Sequence, residues 1–299
     1  MRLALPCYRT MRKELKEIVM PAVGVVFARR MAQAEATVRG ANPAGVGVAV
    51  DGRYSHMGHT APNGTVPFID IHTNIIFNVK NMHKDMRGIE GISGRMEKEG
   101  VRIGLLELQA KQFTITSLVS DNDGKIKKMM EDHPRFSQIV HHCDFWHLVK
   151  GLNKVLRELA KRKECPNLEY WRRKIVDHCY AMHEKFPDDR NTGLEYMKSA
   201  LAHVCDRHTH FEKIPFLKGI SGCLHHDLSE ESKSHKIDRK SNEFALLKHA
   251  LLKPSFTKSF LRAAPKMNTS PCENFNSVLN LYASKTIARL VNKHIQPIY

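Results

Sequence analysis

Three acidic residues that lie far apart in the sequence have the types and positions that metal-dependent chemistry requires. Asp51 and Asp121 each end an apolar segment of strand type, and Glu273 lies near the start of a later helical segment. Carboxylate oxygens are the ligands that Mg²⁺ and Mn²⁺ prefer, and two-metal phosphoryl transfer needs carboxylates that converge from different elements. We therefore predict that Asp51, Asp121 and Glu273 are catalytic and together bind two Mg²⁺ or Mn²⁺ ions.

Each of these carboxylates also has a purely structural interpretation. Asp51 precedes a glycine, which is a common pairing in turns, and either Asp121 or Asp123 could cap the helix that follows them. The segment from Ser270 to Glu273 fits a capping box with proline at the first helical position. Capping and catalysis are compatible for Glu273, because this residue lies off the apolar face of its helix.

The order of the elements indicates how these residues would be positioned. Apolar runs predict strands at 45–50, 64–71, 74–79, 115–119 and 139–140, and helical periodicity predicts helices at 93–112, 124–133 and from Asp144 onward. The first three strands are expected to form an antiparallel meander, in which Pro67 requires an edge or a bulge. The order β-β-β-α-β-α-β-α is that of the ribonuclease-H-like fold, where the first and fourth strands are neighbours. Asp51 and Asp121 would then meet.

The predicted elements divide the chain into four parts. Residues 1–44 form a helical N-terminal segment, 45–164 the first part of a ribonuclease-H-like core, 165–265 a helical insertion, and 266–299 the final helix of the core. The predicted fold class is therefore α/β, with a mixed sheet flanked by helices and an all-α insertion.

Composition favours a polyanionic partner and an intracellular location. The chain has 47 Lys and Arg against 31 Asp and Glu, a formal net charge of +16, and basic side chains displace the counterions condensed on phosphate. The seven cysteines are scattered, and no segment resembles an export signal or a membrane span. We expect reduced thiols inside a cell and no membrane association. For a DNA-processing protein of a eukaryote, this location would be the nucleus.

One helix carries basic residues at helical spacing. Lys150, Lys154, Arg157 and Lys161 form a stripe that would track a DNA backbone, and Arg53 is a further candidate for DNA binding. The structural alternative is a solvated helix face. Trp146 and Trp171 could stack on bases, but we predict that both belong to the core.

A second group of residues is typical of metal ligands. His178, His203, His208, Cys223 and His225 are candidate Zn²⁺ ligands, because tetrahedral zinc sites use four nitrogen or sulfur atoms. Their spacing matches no standard zinc finger, and with 18 histidines in the chain, chance clustering is the alternative.

Four motifs occur in an order that resembles a known family. They are Val50-Asp51-Gly52-Arg53-Tyr54-Ser55 with the following Gly58-His59, Val119-Ser120-Asp121-Asn122-Asp123-Gly124, Asp144-Phe145-Trp146-His147, and Glu273-Asn274-Phe275-Asn276-Ser277. They resemble the catalytic blocks of eukaryotic DDE/D transposases of the Mutator-like or related cut-and-paste superfamilies, including their Cys/Asp-x-x-His motif. The resemblance spans about residues 45–290 and implies DNA strand cleavage and strand transfer.

The resemblance also implies partners and supporting residues. Double-stranded DNA, as transposon ends and target, would be the substrate of a homo-oligomer, and transposition and DNA recombination would be its process. Asp144 and His147, one helical turn apart, would support the site together with Asp123. Their structural alternative is a helix cap with a satisfied histidine.

One departure from the family favours a different function. Such transposases carry a zinc-bearing DNA-binding module before the core, and residues 1–44 show none. We expect a fragment or a transposon-derived copy. The alternative function is thus a catalytically silent, transposase-derived DNA-binding or scaffold protein. A ribonuclease-H-like nuclease that only hydrolyses is a third possibility, which the helical insertion disfavours.

Overall fold

The computed structural model describes residues 7–56, 60–224, 234–265 and 267–282. These form an α/β structure with a mixed sheet flanked by helices, which confirms the predicted class at that level. The chain divides into two compact units. Unit 1 comprises Met1–Leu118, Lys128–Val140 and Ser270–Tyr299, and unit 2 comprises Val119–Lys127 and His141–Thr269.

Within the described residues, six strands form one sheet. They are β1 (Val46–Val50), β2 (Arg53–Tyr54), β3 (Asn63–Asp70), β4 (Ile76–His83), β5 (Ile115–Ser120) and β6 (Val140–Cys143). The order is β2-β3-β1-β5-β6, and β4 pairs with β3. Val46, the first residue of β1, donates a backbone hydrogen bond to Thr114 O just before β5, so these two strands begin side by side.

The first long strands form the predicted antiparallel meander. β1 pairs with β3 from Val48↔Asp70 to Val50↔Phe68, and β3 pairs with β4 along nearly its whole length. Pro67 lies inside β3, which has neighbours on both sides rather than being an edge strand. The register shifts between Phe68 and Ile69, directly after the proline. The missing N–H of Pro67 therefore falls next to an irregularity, as its position predicts.

Strand β2 was not predicted from the sequence. It has two residues and pairs with β3 at Arg53↔Thr65 and Tyr54↔Gly64. A strand this short has no measurable alternation of apolar and polar residues, so the pattern that reveals longer strands is missing.

Unit 1 contains several helices in addition to its strands. They are α1 (Tyr8–Glu14), a π-helical turn (Leu15–Val19), α2 (Met20–Ala41), α3 (Met96–Ala110) and α11 (Ser270–Tyr282), and part of α4 (Gly124–Asp132) belongs to this unit. Helix α3 packs on the sheet through Leu105 and Leu108, which are fully buried with Phe68 and Phe77. A Cβ at Gly104 would overlap the ring of Phe68, so glycine permits this close approach.

Unit 2 is built largely from helices. The α-helices that lie wholly within its described residues are α5 (Phe145–Ala160), α6 (Leu168–Lys185), α7 (Arg190–Lys198), α8 (Ala200–His203), α9 (Asn242–Leu251) and α10 (Pro254–Arg262). Helix α5 buries Leu148, Leu152, Leu156 and Leu159 in a common apolar core, and these positions recur at the spacing of one helix face.

The two tryptophans have different environments. Trp171 is only 2% exposed and its Nε1 donates to the carbonyl of His235 at 2.7 Å, so the prediction of a core residue is confirmed. Trp146 is 45% exposed, and the same prediction was wrong for it. Trp146 sits in the first turn of α5, on the solvent side between the buried Phe145 and Leu148.

Within the described ranges, no helix combines the length and the apolar character that crossing a bilayer requires.

Candidate catalytic site

Asp51 lies directly after β1 in unit 1, where its side chain is half-buried. Its Oδ2 accepts a hydrogen bond from Nδ2 of Asn276 at 2.9 Å. The next backbone amide, that of Gly52, donates to Oε1 of Glu97 at 3.1 Å, and a Cβ at Gly52 would lie 2.6 Å from the Glu97 side chain. The chain just after β1 therefore contacts both Asn276 of α11 and Glu97 of α3.

Helix α11 brings Glu273 to the same region of unit 1. Glu273 lies in the first turn of this helix, three residues before Asn276, and residues three apart share a helix face. Asn280, one turn further on, accepts a hydrogen bond from Nε of Arg53 at 3.0 Å. The helix face that carries Glu273 therefore contacts β1 and β2, although more than 220 residues separate these segments in the sequence.

Arg53 is buried within unit 1. Only 7% of its surface is exposed, and burial lowers the pKa of its guanidinium below the usual value. Its hydrogen bond to Asn280 ties β2 to α11. A contact of Arg53 with DNA stays a prediction.

Asp121 follows β5 in unit 2 and contacts His147 of α5. Its Oδ1 lies 3.1 Å from Nδ1 of His147, and 37% of its side chain is exposed. The carboxylate therefore remains accessible from solvent while its orientation is set by a helix residue.

Asp144 is the N-cap of α5 and the most extensively bonded carboxylate near His147. Its Oδ1 accepts from the backbone amide of His147 at 3.1 Å, and its Oδ2 accepts from the amide of Thr269 at 2.7 Å and from its hydroxyl at 2.9 Å. Burial alone would raise the pKa of Asp144, but these hydrogen bonds together bring its pKa below the ordinary value. Asp144 is thus charged at neutral pH.

His147 lies between two carboxylates of unit 2. Its Nδ1 is 3.1 Å from Asp121 and 3.6 Å from Oδ1 of Asp144. The structure therefore brings together two of the three predicted supporting residues with one predicted catalytic residue. Asp123, the third supporting residue, instead accepts from the amide of Lys125 at 2.5 Å, which is the capping role that its sequence also allowed.

The loop after β5 is anchored to α10. Oδ1 of Asn122 accepts from Oγ of Ser259 at 3.0 Å and from Nη2 of Arg262 at 2.7 Å. His141, in β6, shares a hydrogen bond with Ser120 at 2.9 Å, and burial together with nearby Arg262 lowers its pKa to about 3. This histidine is therefore neutral at physiological pH.

A cavity of about 480 Å³ lies beside His147 in unit 2. Its wall includes Asn122, Arg162, His249 and Lys253 as well as apolar side chains of α5 and α9. The cavity thus combines apolar side chains with basic and polar groups, which suits a ligand with an apolar part and an anionic part.

The predicted basic stripe lies on the exposed side of α5. Lys150, Lys154 and Arg157 are exposed, and Lys150 Nζ lies 4.1 Å from the centre of the Trp146 ring. Lys161, just past the helix end, pairs with Glu158 at 2.8 Å. The stripe therefore offers three cations and an exposed aromatic ring on one surface.

The carboxylates suit divalent metal by their chemistry. Asp51 and Glu273 in unit 1 and Asp121 in unit 2 present hard oxygen donors, and Asn276 fixes one oxygen of Asp51. Convergence of all three on a metal pair stays a prediction.

The structure brings three of the five candidate zinc ligands together. The side chains of His203, His208 and Cys223 lie together, with ligand atoms all within 4.8 Å of one another. His178 Nε2 instead shares a hydrogen bond with the carbonyl of Tyr196 at 2.7 Å. His225 lies outside the described residues.

Several residues that shape these sites were not predicted. Glu97 and Thr269 bond the Gly52 amide and Asp144 from positions far along the chain, and neither belongs to a local motif. The spacing of Asn276, one helical turn after Glu273 in the Glu-Asn-Phe-Asn-Ser segment, indicates that the two residues share a helix face. The spacing does not predict that Asn276 bonds to Asp51.

No family model matches this chain, and neither curated proteins nor solved structures provide a match. The family resemblance therefore stays a prediction.

Proposed function

We propose that this chain catalyses metal-dependent DNA strand cleavage and strand transfer, as a DDE-type transposase core of ribonuclease-H-like fold. The observation that carries the proposal is the 2.9 Å hydrogen bond between Asn276 and Asp51. It attaches the helix of Glu273 to the strand end of Asp51, and this is the arrangement that a catalytic pair drawn from two distant segments requires.

The strand order supports the ribonuclease-H-like fold. With the two-residue β2 set aside, β5 is the fourth strand, and it lies next to β1 in the sheet. The first and fourth strands are expected to be neighbours in that fold, and the first three strands are expected to form an antiparallel meander. Both features are present.

The residues have distinct roles in the proposed reaction. Asp51, Asp121 and Glu273 would hold the metal ions, and the ions would supply Lewis acidity for phosphoryl transfer. Asn276 orients Asp51, and His147 orients Asp121. Asp144 holds the start of α5, and with it His147, in place.

The reaction itself consists of two displacements at phosphorus. Water first attacks a phosphodiester, and the bond from phosphorus to the 3′ oxygen breaks to leave a 3′-hydroxyl. This hydroxyl then attacks a phosphodiester of a second DNA, forms a new P–O bond and releases that strand's own 3′-hydroxyl. The number of phosphodiester bonds is conserved in the second step, so no external energy source is needed.

The exposed surface of α5 supports DNA as the substrate. Lys150, Lys154 and Arg157 present a row of cations, and Trp146 offers a face for base stacking. Nuclear location and homo-oligomeric action on two transposon ends belong to the same proposal.

A nicking assay tests the proposal. The full chain is incubated with Mn²⁺ and supercoiled plasmid that carries the genomic sequences flanking its own gene. We expect nicking that Asp51→Asn and Glu273→Gln each reduce by at least about 100-fold, since each removes a metal ligand. The matched control is Asp177→Asn, which changes an exposed aspartate of α6 and should leave nicking unchanged.

A second candidate function is a catalytically silent DNA-binding protein. The observation that favours it is the α5 surface, which needs no carboxylate to bind DNA. Tight plasmid binding without nicking, or nicking that persists at full rate in Asp51→Asn, would overturn the catalytic proposal. The first outcome would establish the second candidate instead.

A further inference from the structure

His203, His208 and Cys223 form a compact group of metal-ligating side chains in unit 2, separate from Asp121 and His147. Their ligand atoms all lie within 4.8 Å of one another, and each residue is half-buried. Among the described residues, this is the one set of three or more histidine, cysteine and acidic side chains that meets this distance limit.

The backbone positions two of these residues side by side. The amide of Cys223 donates to the carbonyl of His208 at 2.8 Å, and Thr209 and Gly222 form an isolated antiparallel bridge. A Cβ at Gly222 would lie only 2.7 Å from the His208 carbonyl, so glycine permits this approach. The loop from His208 to Cys223 is thus closed at its base by main-chain contacts.

His203 reaches the same point from the end of α8. Its Nδ1 lies 3.8 Å from Sγ of Cys223, and its ring packs edge-on against the rings of Trp171 at 5.5 Å and His208 at 4.9 Å. Ile237 N bonds the carbonyl of the next residue, Val204, at 2.8 Å. The helix end is therefore held in place independently of the loop.

We propose that His203, His208 and Cys223 bind one Zn²⁺ ion, with water in the fourth position. Two imidazoles and one thiolate are typical zinc donors, and three protein ligands with water form a complete tetrahedral set. Water can reach the ion, because His203 and Cys223 also line a cavity of about 400 Å³.

Neighbouring groups suit this role. Oδ1 of Asp206 lies 3.3 Å from Nε2 of His208, and carboxylates commonly orient histidines that ligate zinc through their other nitrogen. Burial raises the pKa of the Cys223 thiol to about 11, so without metal it is protonated at neutral pH. Binding of Zn²⁺ would form the Zn–S bond and release that proton to solvent.

Binding of Zn²⁺ is expected to cross-link the 208–223 loop to helix α8. The ion would join the end of α8 to both ends of the 208–223 loop, in addition to the bridge between Thr209 and Gly222. Because metal would bind the folded arrangement and not the unfolded chain, Zn²⁺ should raise the thermal stability of the protein.

Metal content tests the proposal directly. The full chain, freed of any histidine tag, is purified, dialysed against buffer that contains Zn²⁺ in molar excess over the protein and no other divalent metal, and desalted. We expect one equivalent of zinc per chain. Cys223→Ser and His208→Gln should each retain less than about a tenth of it, whereas the neighbours Cys205→Ser and His210→Gln should retain all of it.

Two further measurements keep the result interpretable if a variant does not fold. Co²⁺ added to the wild-type protein should give a thiolate-to-cobalt charge-transfer band. Zn²⁺ should also slow alkylation of wild-type Cys223 by N-ethylmaleimide relative to Cys7, which is exposed. Absence of bound zinc in the wild type, or zinc content equal in Cys223→Ser and Cys205→Ser, would overturn the proposal.

Discussion

At the scale of single residues, Asp144 joins two segments of unit 2. It caps α5 through the amide of His147 and at the same time accepts two hydrogen bonds from Thr269. The first role follows from the sequence, because Asp144 precedes an apolar helical pattern. The second could not be predicted, because a partner 125 residues away leaves no trace in local spacing.

Replacing Asp144 with alanine should destabilise the protein by about 2–4 kcal/mol at neutral pH, because two buried donors and a helix end lose their acceptor. The folded-state pKa of Asp144 is lowered, so its contribution is present above the unfolded pKa and is lost as pH falls through the folded value. The difference in unfolding free energy between wild type and variant should therefore narrow below about pH 4.

Urea denaturation at neutral pH and at several acidic pH values measures this difference. Asp123→Ala is the matched control, since Asp123 makes a single capping bond to the Lys125 amide and should cost only about 0.5–1 kcal/mol. Equal losses for the two variants, or a difference that widens in acid, would contradict the argument.

At the scale of elements, apolar periodicity located the long strands and helices. The predicted helix at 93–112 corresponds to a 3₁₀ turn at Ser93–Arg95 followed by α3, and the predicted strand at 115–119 corresponds to β5. The exposed face of α5 was harder to predict. The residue type of Trp146 predicts a core position, yet the helix turns it toward solvent, where Lys150 Nζ lies over one face of its ring.

Two glycines in helices should respond oppositely to the same substitution. Gly104→Ala should destabilise the protein by about 1–3 kcal/mol, because the added methyl group overlaps the buried ring of Phe68. Gly151→Ala should stabilise it by about 0.5–1 kcal/mol, because nothing lies within 4 Å and alanine restricts the unfolded chain.

Thermal unfolding of both variants and of the wild type measures this difference. A Gly104→Ala protein as stable as the wild type would show that α3 packs less closely on the sheet than the structure indicates.

At the scale of the whole molecule, the net charge of +16 makes salt the natural probe of the proposed DNA contact. We expect that replacing Lys150, Lys154 and Arg157 together with glutamine makes the negative slope of log K for DNA association against log salt shallower by roughly 2–3. Each lost phosphate contact accounts for about 0.9 of this change. Fluorescence anisotropy with a duplex oligonucleotide over a KCl series gives this slope.

The control variant removes the same charge from paired residues. Arg95, Lys111 and Lys198 each form an ion pair with a glutamate, so their replacement with glutamine should change the slope by less than about 1. Equal changes in the two variants would mean that net charge, rather than the α5 surface, determines DNA binding.

Sequence patterns predicted the individual elements but not how they group into two units. Unit 1 combines three separate stretches of chain and unit 2 combines two, whereas local periodicity assigns residues only to contiguous parts. The hydrogen bond between Asn276 and Asp51 could not be predicted for the same reason. A motif can identify both residues, but their contact depends on how the intervening chain folds.

The late position of Ser270–Tyr282 in the chain has a consequence for biosynthesis. A ribosome that has made β1 through β5 has not yet made α11, so Asn276 and Asn280 reach Asp51 and Arg53 only after every described residue of unit 2 has been translated. During translation, the strands of unit 1 are therefore made before the helix α11 that packs against them. Premature termination before Ser270 would release polypeptides that retain the six described strands but lack helix α11.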